Sequence, residues 1–389
     1  MKLAVFSNYL NHHQIPLADA LYSLNDVEYT FVSIMGMPDF RKELGYKEIT
    51  KPYLLDTTLS EDNKQKAKKI AVDADVAIFI TNRMEEYEIP RLKTGKLTFE
   101  CSERWFKKKY FVNILSPKLW KHQLMYYLYG RNANLHMLCA SAYAANDYYL
   151  LRSFKNRCYK WAYFTQVNDI NIEEIIHSKA QLKIRLMWCG RFIDWKHPEL
   201  AIELAKRLKN KGYDFELDMY GNGPLLNSIN KSIKDNQLTD CVFLKGNVFN
   251  EEIIKAMQSH HIFLFTSDQN EGWGAVANEA MSNGCTLVAS DSIGSVPFLV
   301  HDGENGLIFR TECSESLLSK VESLFENRYL IDIFAKQAYI DMKNVWSPQN
   351  AAVSLLSLIS DLNLGKGCSI LNGPCSKAEP IKKRNYGTN

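Results

Sequence analysis

The chain is predicted to be an α/β protein of two doubly wound domains, each a parallel sheet with helices on both faces. Its 389 residues are enough for two domains that each bury a core. Apolar runs of strand length alternate with helix-period stretches, the order that builds such sheets. Several of those runs are apolar throughout, as strands covered on both faces are.

Along the first half, Lys2–Ser7 reads as a strand, and the loop 8–14 leads into a helix over 16–24 opened by Pro16. Further strands are read over 29–34, 75–80 and 97–100, and helices over 119–129 and 142–153. A change of texture near 165–180 marks a linker carrying a short helix. In the second half, strands over 185–188, Phe215–Tyr220, 242–245, 261–266 and Thr286–Ser290 are each followed by a helical stretch. After Pro198, the side chains of Leu200, Leu204, Ala205 and Leu208 share one helix face. Asn250 is placed to N-cap the helix that begins Glu251-Glu252. A helix over 347–362 follows, and the tail from Gly365, mixing Gly, Pro, Ser and Lys, reads as loosely held. The boundaries expected are a first domain over 1–165, a linker over 166–182, a second domain over 183–345, a helix over 346–363 and a tail over 364–389.

Composition narrows the class. With 46% hydrophobic and 23% charged residues, the chain is neither disordered nor fibrous. No apolar run approaches the ~20 residues that span a bilayer. The opening M-K-L-A-V-F-S-N-Y-L lacks a cleavage-like site and reads as a strand rather than a signal peptide. The nine cysteines are scattered without C-x-x-C, which points to a reducing cytoplasm and away from a zinc site or a disulfide framework.

Charge is uneven. From Arg91 to Lys160 there are fourteen Lys or Arg against three acids, so this stretch carries +11 and the remainder of a +3 chain carries −8. Aromatics crowd the same stretch, among them Trp105, Tyr110, Phe111, Trp120, Tyr127, Tyr129 and Tyr149. Two readings stand side by side: an anionic membrane surface, or a solvated basic face over an aromatic core. Nucleic acid is not expected, because no binding motif accompanies the charge.

The most pointed feature is N-E-G-W-G-A-V-A-N-E-A-M, which sets Glu271 and Glu279 eight residues apart across a Gly-rich turn. The turn joins an apolar strand to a helix read over 274–283, placing Glu279 about a turn and a half inside it. Helix N–H groups between two hydroxyl acceptors suit a sugar–diphosphate–ribose ligand. Arg191 and Lys196 follow another buried strand and can neutralise a diphosphate; the alternative is a salt bridge to Asp194 or a neighbouring acid.

These residues resemble the E-x7-E motif of the family-4 retaining glycosyltransferases, the bacterial surface-polysaccharide type included. Gly190-Arg191 through Lys196 resembles the family's G-R-L-x-x-x-K turn, with His197 where the family usually has Gly. Gly221-Asn222-Gly223-Pro224 resembles its G-x-G-P, and Asp302-Gly303-Glu304-Asn305-Gly306 its d-G-e-n-G strand entry. The likeness is strong over 183–310 and faint before residue 160.

The resemblance implies a GT-B fold, two facing Rossmann-like domains with a terminal helix crossing back to the first. It implies a retaining hexosyltransferase that moves sugar from a nucleotide-diphosphate donor, uridine first and guanosine second, to a lipid-linked oligosaccharide in surface polysaccharide assembly. Such an enzyme would be cytoplasmic and peripheral on the inner face of the plasma membrane. Glu271, Arg191 and Lys196 would carry the chemistry, without cofactor or metal. Gly190, Gly221, Gly223, Asn270, Gly272, Gly274, Ala275 and Glu279 would hold the donor. Trp273 would wall the sugar pocket or pack in the core. In the first domain, His12 and His13 would donate to phosphate or acceptor, or cap the next helix. Glu103 would serve the acceptor hydroxyl and Arg104 a phosphate, or the two would pair internally. Phe298 stands where the family commonly has Glu. Rival readings are a nucleotide-sugar epimerase or hydrolase of the same fold, and a non-catalytic sugar-nucleotide or membrane-binding module.

Overall fold

A computed structural model describes residues 1–37, 49–80, 84–107, 114–180 and 182–381. Lys108, Lys109, Tyr110 and Phe111 of the basic-aromatic stretch lie outside the described residues. The chain divides into two units: Met1–Gln166 with the stretch that begins at Ser347, and Val167–Trp346.

The first unit is built on β1 (Lys2–Ser7), β2 (Glu28–Ser33), β3 (Leu54–Asp56), β4 (Val76–Ile80), β5 (Thr98–Ser102), β6 (Leu135–Cys139) and β7 (Cys158–Lys160). They form one parallel sheet ordered β3-β2-β1-β4-β5-β6-β7. Central β4 and β6 are buried throughout or nearly so, which is why β4 is continuously apolar and β6 is interrupted only by His136. The helix Pro348–Asn363 packs within this unit, against the helix Ile15–Tyr22, and its N-cap Ser347 accepts from Asn350 N at 3.2 Å.

The tail is held, contrary to expectation. Cys375 N donates to Lys160 O at 2.8 Å, Lys160 N to Ser376 O at 2.7 Å, and Ala378 N to Cys158 O at 3.0 Å. β7 is an edge strand with open amides and carbonyls, and the tail satisfies them while burying Cys375 completely.

The second unit holds β8 (Ile184–Cys189), β9 (Phe215–Tyr220), β10 (Val242–Gly246), β11 (Ile262–Phe265), β12 (Thr286–Ser290) and β13 (Gly306–Phe309). This sheet is also parallel, ordered β10-β9-β8-β11-β12-β13. Its core runs through Leu186, Trp188, Leu204, Leu208, Leu217, Leu264 and Val288. The helix Pro198–Asn210 turns Leu204, Ala205 and Leu208 inward as patterned and buries Ala201 as well, while Leu200 is only partly buried. Asn250 does not cap: it is the first residue of the helix Asn250–Ser259, and Phe249 occupies the cap without a side-chain bond.

Candidate active site

In the second unit, strand order reverses direction between β8 and β11, the place where an open α/β sheet leaves a crevice at its carboxyl ends. β8 ends at Cys189 and delivers Gly190-Arg191; β11 ends at Phe265 and delivers the loop of Glu271. The topology alone therefore brings the two motifs to one crevice.

Gly190 and Phe192 are fixed to the 220–223 loop. Gly190 N donates to Tyr220 O at 3.0 Å, and Phe192 N to Asn222 O at 2.9 Å. A Cβ on Gly221 would stand 2.0 Å from Gly190 O, and one on Gly223 would stand 2.5 Å from Phe192 O. The two glycines are thus explained by the close approach of one loop backbone to another. Arg191 is exposed, lies 5.8 Å from the Trp195 ring centroid, and makes no ion pair among the described residues.

Lys196 is the cation whose pairing sequence left open. Its Nζ is paired with Glu271 Oε2, which also accepts from Ser267 Oγ at 3.0 Å. The ammonium lies 4.8 Å from the Trp195 ring centroid. Thr266 ties the loops from beneath: its hydroxyl donates to Lys196 O at 2.7 Å and accepts from Trp188 Nε1 at 2.9 Å. Asp268 N donates to Trp195 O at 2.9 Å, and Asp268 Oδ1 accepts from Asn270 N and Nδ2 at 2.7 and 2.9 Å.

Glu279 sits in the first turn of the helix Val276–Ser282, not a turn and a half inside it, because the helix begins two residues later than expected. Burial pushes its carboxyl up to about 7. Gly274 has φ +85°, and a Cβ there would meet the Phe265 ring at 2.3 Å. Trp273 is fully buried, donates from Nε1 to Asn278 Oδ1 at 2.8 Å, and packs 6.3 Å from Phe298. It supports the turn from within the core, which corrects its reading as a pocket wall. Phe298 stacks on Trp346 with centroids 6.1 Å apart, so this position is filled by aromatic packing. Gly272 is buried, and Ala275 is the half-buried N-cap of the helix.

A cluster missed by sequence reading lies beside Lys196. His197, Asp268 and Glu312 place ligand-type atoms within 4.8 Å of one another. These residues come from three loops far apart in sequence, so no spacing rule could have found them.

The first unit holds a cavity of about 780 Å³ lined by Glu88, Glu100, Glu103, Arg104, Lys107 and His122 among others. Glu103 accepts from Tyr163 OH at 2.7 Å and lies 3.6 Å from Lys107; Arg104 donates to Phe106 O at 2.9 Å and lies 4.5 Å from the Tyr143 ring centroid. Asp147 anchors their loop through Trp105 N and Phe106 N, at 2.6 and 2.9 Å. Deeper in, buried Glu100 meets His122 Nε2 at 2.6 Å, and burial with Glu100 alongside pushes the Glu88 carboxyl far up. Glu88 and His122 went unremarked; a charged residue inside the apolar 97–102 run was the available signal. His12 and His13 have rings 3.7 Å apart. The following helix is capped by Gln14 without a side-chain bond, so the capping reading of the histidines does not hold.

Residues 171–341 match the family described as glycosyl transferases group 1. The poly(glycerol-phosphate) alpha-glucosyltransferase of Bacillus subtilis is 34% identical over 171 residues, 44% of this chain and 25% of that protein. The poly(ribitol-phosphate) alpha-N-acetylglucosaminyltransferase of Staphylococcus aureus is 26% identical over 171 residues, 44% of this chain and 34% of that protein. The match thus spans about a third of one relative's length and a quarter of the other's. The crystal structure of Anabaena Alr3699/HepE with UDP superposes with a TM-score of 0.69 at 15% identity, covering 94% of this chain and 100% of that one. That likeness identifies the fold as two Rossmann-like parallel-sheet domains of the GT-B type. Over residues 171–341, less than half of its length, the chain is thus similar to the glycosyl transferases group 1 family.

Proposed function

We propose that the chain is a retaining hexosyltransferase that takes its sugar from a nucleotide-diphosphate donor, with uridine ahead of guanosine. The observation that carries this reading is the convergence of exposed Arg191, the Lys196–Glu271 pair and partly buried Glu279 on one switch point of one sheet. Arg191 and Lys196 neutralise the departing diphosphate, the charge that develops as the glycosidic bond breaks. Glu271 accepts from hydroxyls of the donor sugar and Glu279 from those of the ribose. The leaving phosphate oxygen takes the acceptor's proton on the same face of the sugar, so no strong base and no metal bridge to the diphosphate is required. HepE's capture with UDP supports uridine.

The acceptor is proposed to be a lipid-linked oligosaccharide in surface polysaccharide assembly, met at the cytoplasmic face of the membrane. The relatives named for transfer to poly(glycerol-phosphate) and poly(ribitol-phosphate) support a cell-surface polymer. Trp120, Leu124, Tyr127 and Leu128 are exposed along successive turns of 117–130, beside exposed Lys118 and Lys121. Such an apolar strip with cations suits anionic headgroups. No helix among the described residues is long and apolar enough to cross a membrane.

A thermal-shift panel of UDP, GDP and their sugars, followed by product analysis, tests the reading. UDP-sugars should raise the melting temperature most, by mass action on the native state. A chain that no nucleotide sugar stabilises, or one that releases nucleotide equally with and without any acceptor, would overturn it.

A further inference from the structure

We propose that His197, Asp268 and Glu312 form a site for one divalent transition-metal ion, of the Mn²⁺ or Zn²⁺ kind, that fastens three loops at the carboxyl end of the second sheet. The site is separate from the nucleotide-sugar reading and does not depend on it. His197 follows Lys196, Asp268 lies three residues before Glu271, and Glu312 lies on the loop after β13.

The donor geometry is the first support. His197 Nε2 stands 3.4 Å from Asp268 Oδ2 and 3.9 Å from Glu312 Oε1. An ion about 2.1 Å from each donor needs them roughly 3.0–3.4 Å apart; the His197–Asp268 edge is already there, and the two edges to Glu312, 3.9 Å and no more than 4.8 Å, close by a movement of that exposed side chain. His197 Nε2 is buried and makes no hydrogen bond. The second support is independent of the triangle. The other ring nitrogen, Nδ1, meets Glu199 Oε1 at 2.6 Å, the carboxylate–histidine arrangement that fixes the ring and leaves Nε2 to ligate. Asp268 is oriented in the same way, its Oδ1 taken by Asn270, which turns Oδ2 to the imidazole.

One imidazole and two carboxylates suit a borderline divalent ion, with water completing the shell. The Glu312 side chain is 46% exposed and Asp268 only 1%, so the site opens to solvent on the Glu312 side alone. Both His197 and Glu312 hold the left-handed backbone, at φ +49° and +56°.

The test uses the full chain, stripped with chelator, in buffer without nucleotide. Mn²⁺ is the probe because the nine cysteines retain it poorly. Titration followed by the electron paramagnetic signal of unbound Mn²⁺ should show one ion per chain and a raised melting temperature. His197→Gly and Glu312→Gln should weaken binding at least tenfold; Gly suits the backbone at 197, and Glu312 is exposed, so both should fold. Glu199→Gln should weaken it about tenfold through the imidazole. A wild-type chain that binds neither Mn²⁺ nor Zn²⁺, or His197→Gly and Glu312→Gln chains that keep the same ion with the same affinity, would overturn the site.

Discussion

Lys196 and Glu271 are paired to each other, on the same carboxylate oxygen that Ser267 holds. Two groups assigned to different parts of the donor therefore neutralise one another before any ligand arrives. A diphosphate entering the crevice competes with Glu271 for the ammonium, and the released carboxylate becomes available to sugar hydroxyls. Glu271→Gln should then leave UDP affinity unchanged or raised, since Lys196 is freed, while transfer falls by about 10²–10³-fold with the lost acceptor. Calorimetry with UDP and turnover on the sugar nucleotide separate the two effects. A parallel loss of both would mean that Glu271 only holds Lys196 in place.

Glu279 sets a pH dependence whose sign is fixed by its environment. Its carboxyl is raised by burial from 4.5 to about 7 in the folded chain. Between those values the native state keeps a proton that the unfolded chain has released, so stability falls as pH rises through this window and levels off above it. The loss is about 2 kcal/mol, less than the full shift implies because the carboxyl is not wholly removed from water. Glu279→Gln should match the parent near pH 4.5 and exceed it at pH 8 in urea unfolding. Ribose hydroxyls favour the ionised form, so UDP affinity of the parent should rise with pH across the same window and that of the variant should stay flat.

The 220–223 loop offers a purely steric prediction. Gly221→Ala places a methyl 2.0 Å from Gly190 O, a contact that only a shift of one loop relieves. The cost should be about 2–3 kcal/mol in unfolding free energy. Because Gly190 leads into Arg191, diphosphate affinity should fall with it, although residue 221 carries no ligand-binding side chain. A variant of parental stability and affinity would show the loops to be loosely apposed.

Much of this was legible because parallel sheets write themselves into sequence. β8, β11 and β12 are runs apolar enough to be covered on both faces, and the ends of β8 and β11 mark where Arg191 and Glu271 must emerge. What stayed hidden was decided by contacts between segments distant along the chain. The Lys196–Glu271 pair, the His197 cluster and the cover that the tail gives β7 all depend on which loops meet, and periodicity within one segment carries no record of that. Trp273 was ambiguous for another reason: a large ring in a Gly-rich turn suits a pocket wall and a core equally, and only the Asn278 amide reaching its N–H decides.

The exposed strip on 117–130 yields the last prediction. Trp120 is 54% exposed, Leu124 59% and Leu128 63%, and they recur at helical spacing, so one flat surface presents all three. Burying such side chains at an interface stabilises by about 1.5–3 kcal/mol each, whereas each neighbouring cation adds about 1 kcal/mol on anionic lipid. Trp120→Ser with Leu124→Ser should therefore lower partitioning to vesicles containing phosphatidylglycerol by at least tenfold and leave UDP binding in the second unit untouched. Lys118→Ser with Lys121→Ser should weaken partitioning less, and only at low salt. Flotation at two ionic strengths reads both terms; partitioning indifferent to all four substitutions would assign the strip to some partner other than a membrane.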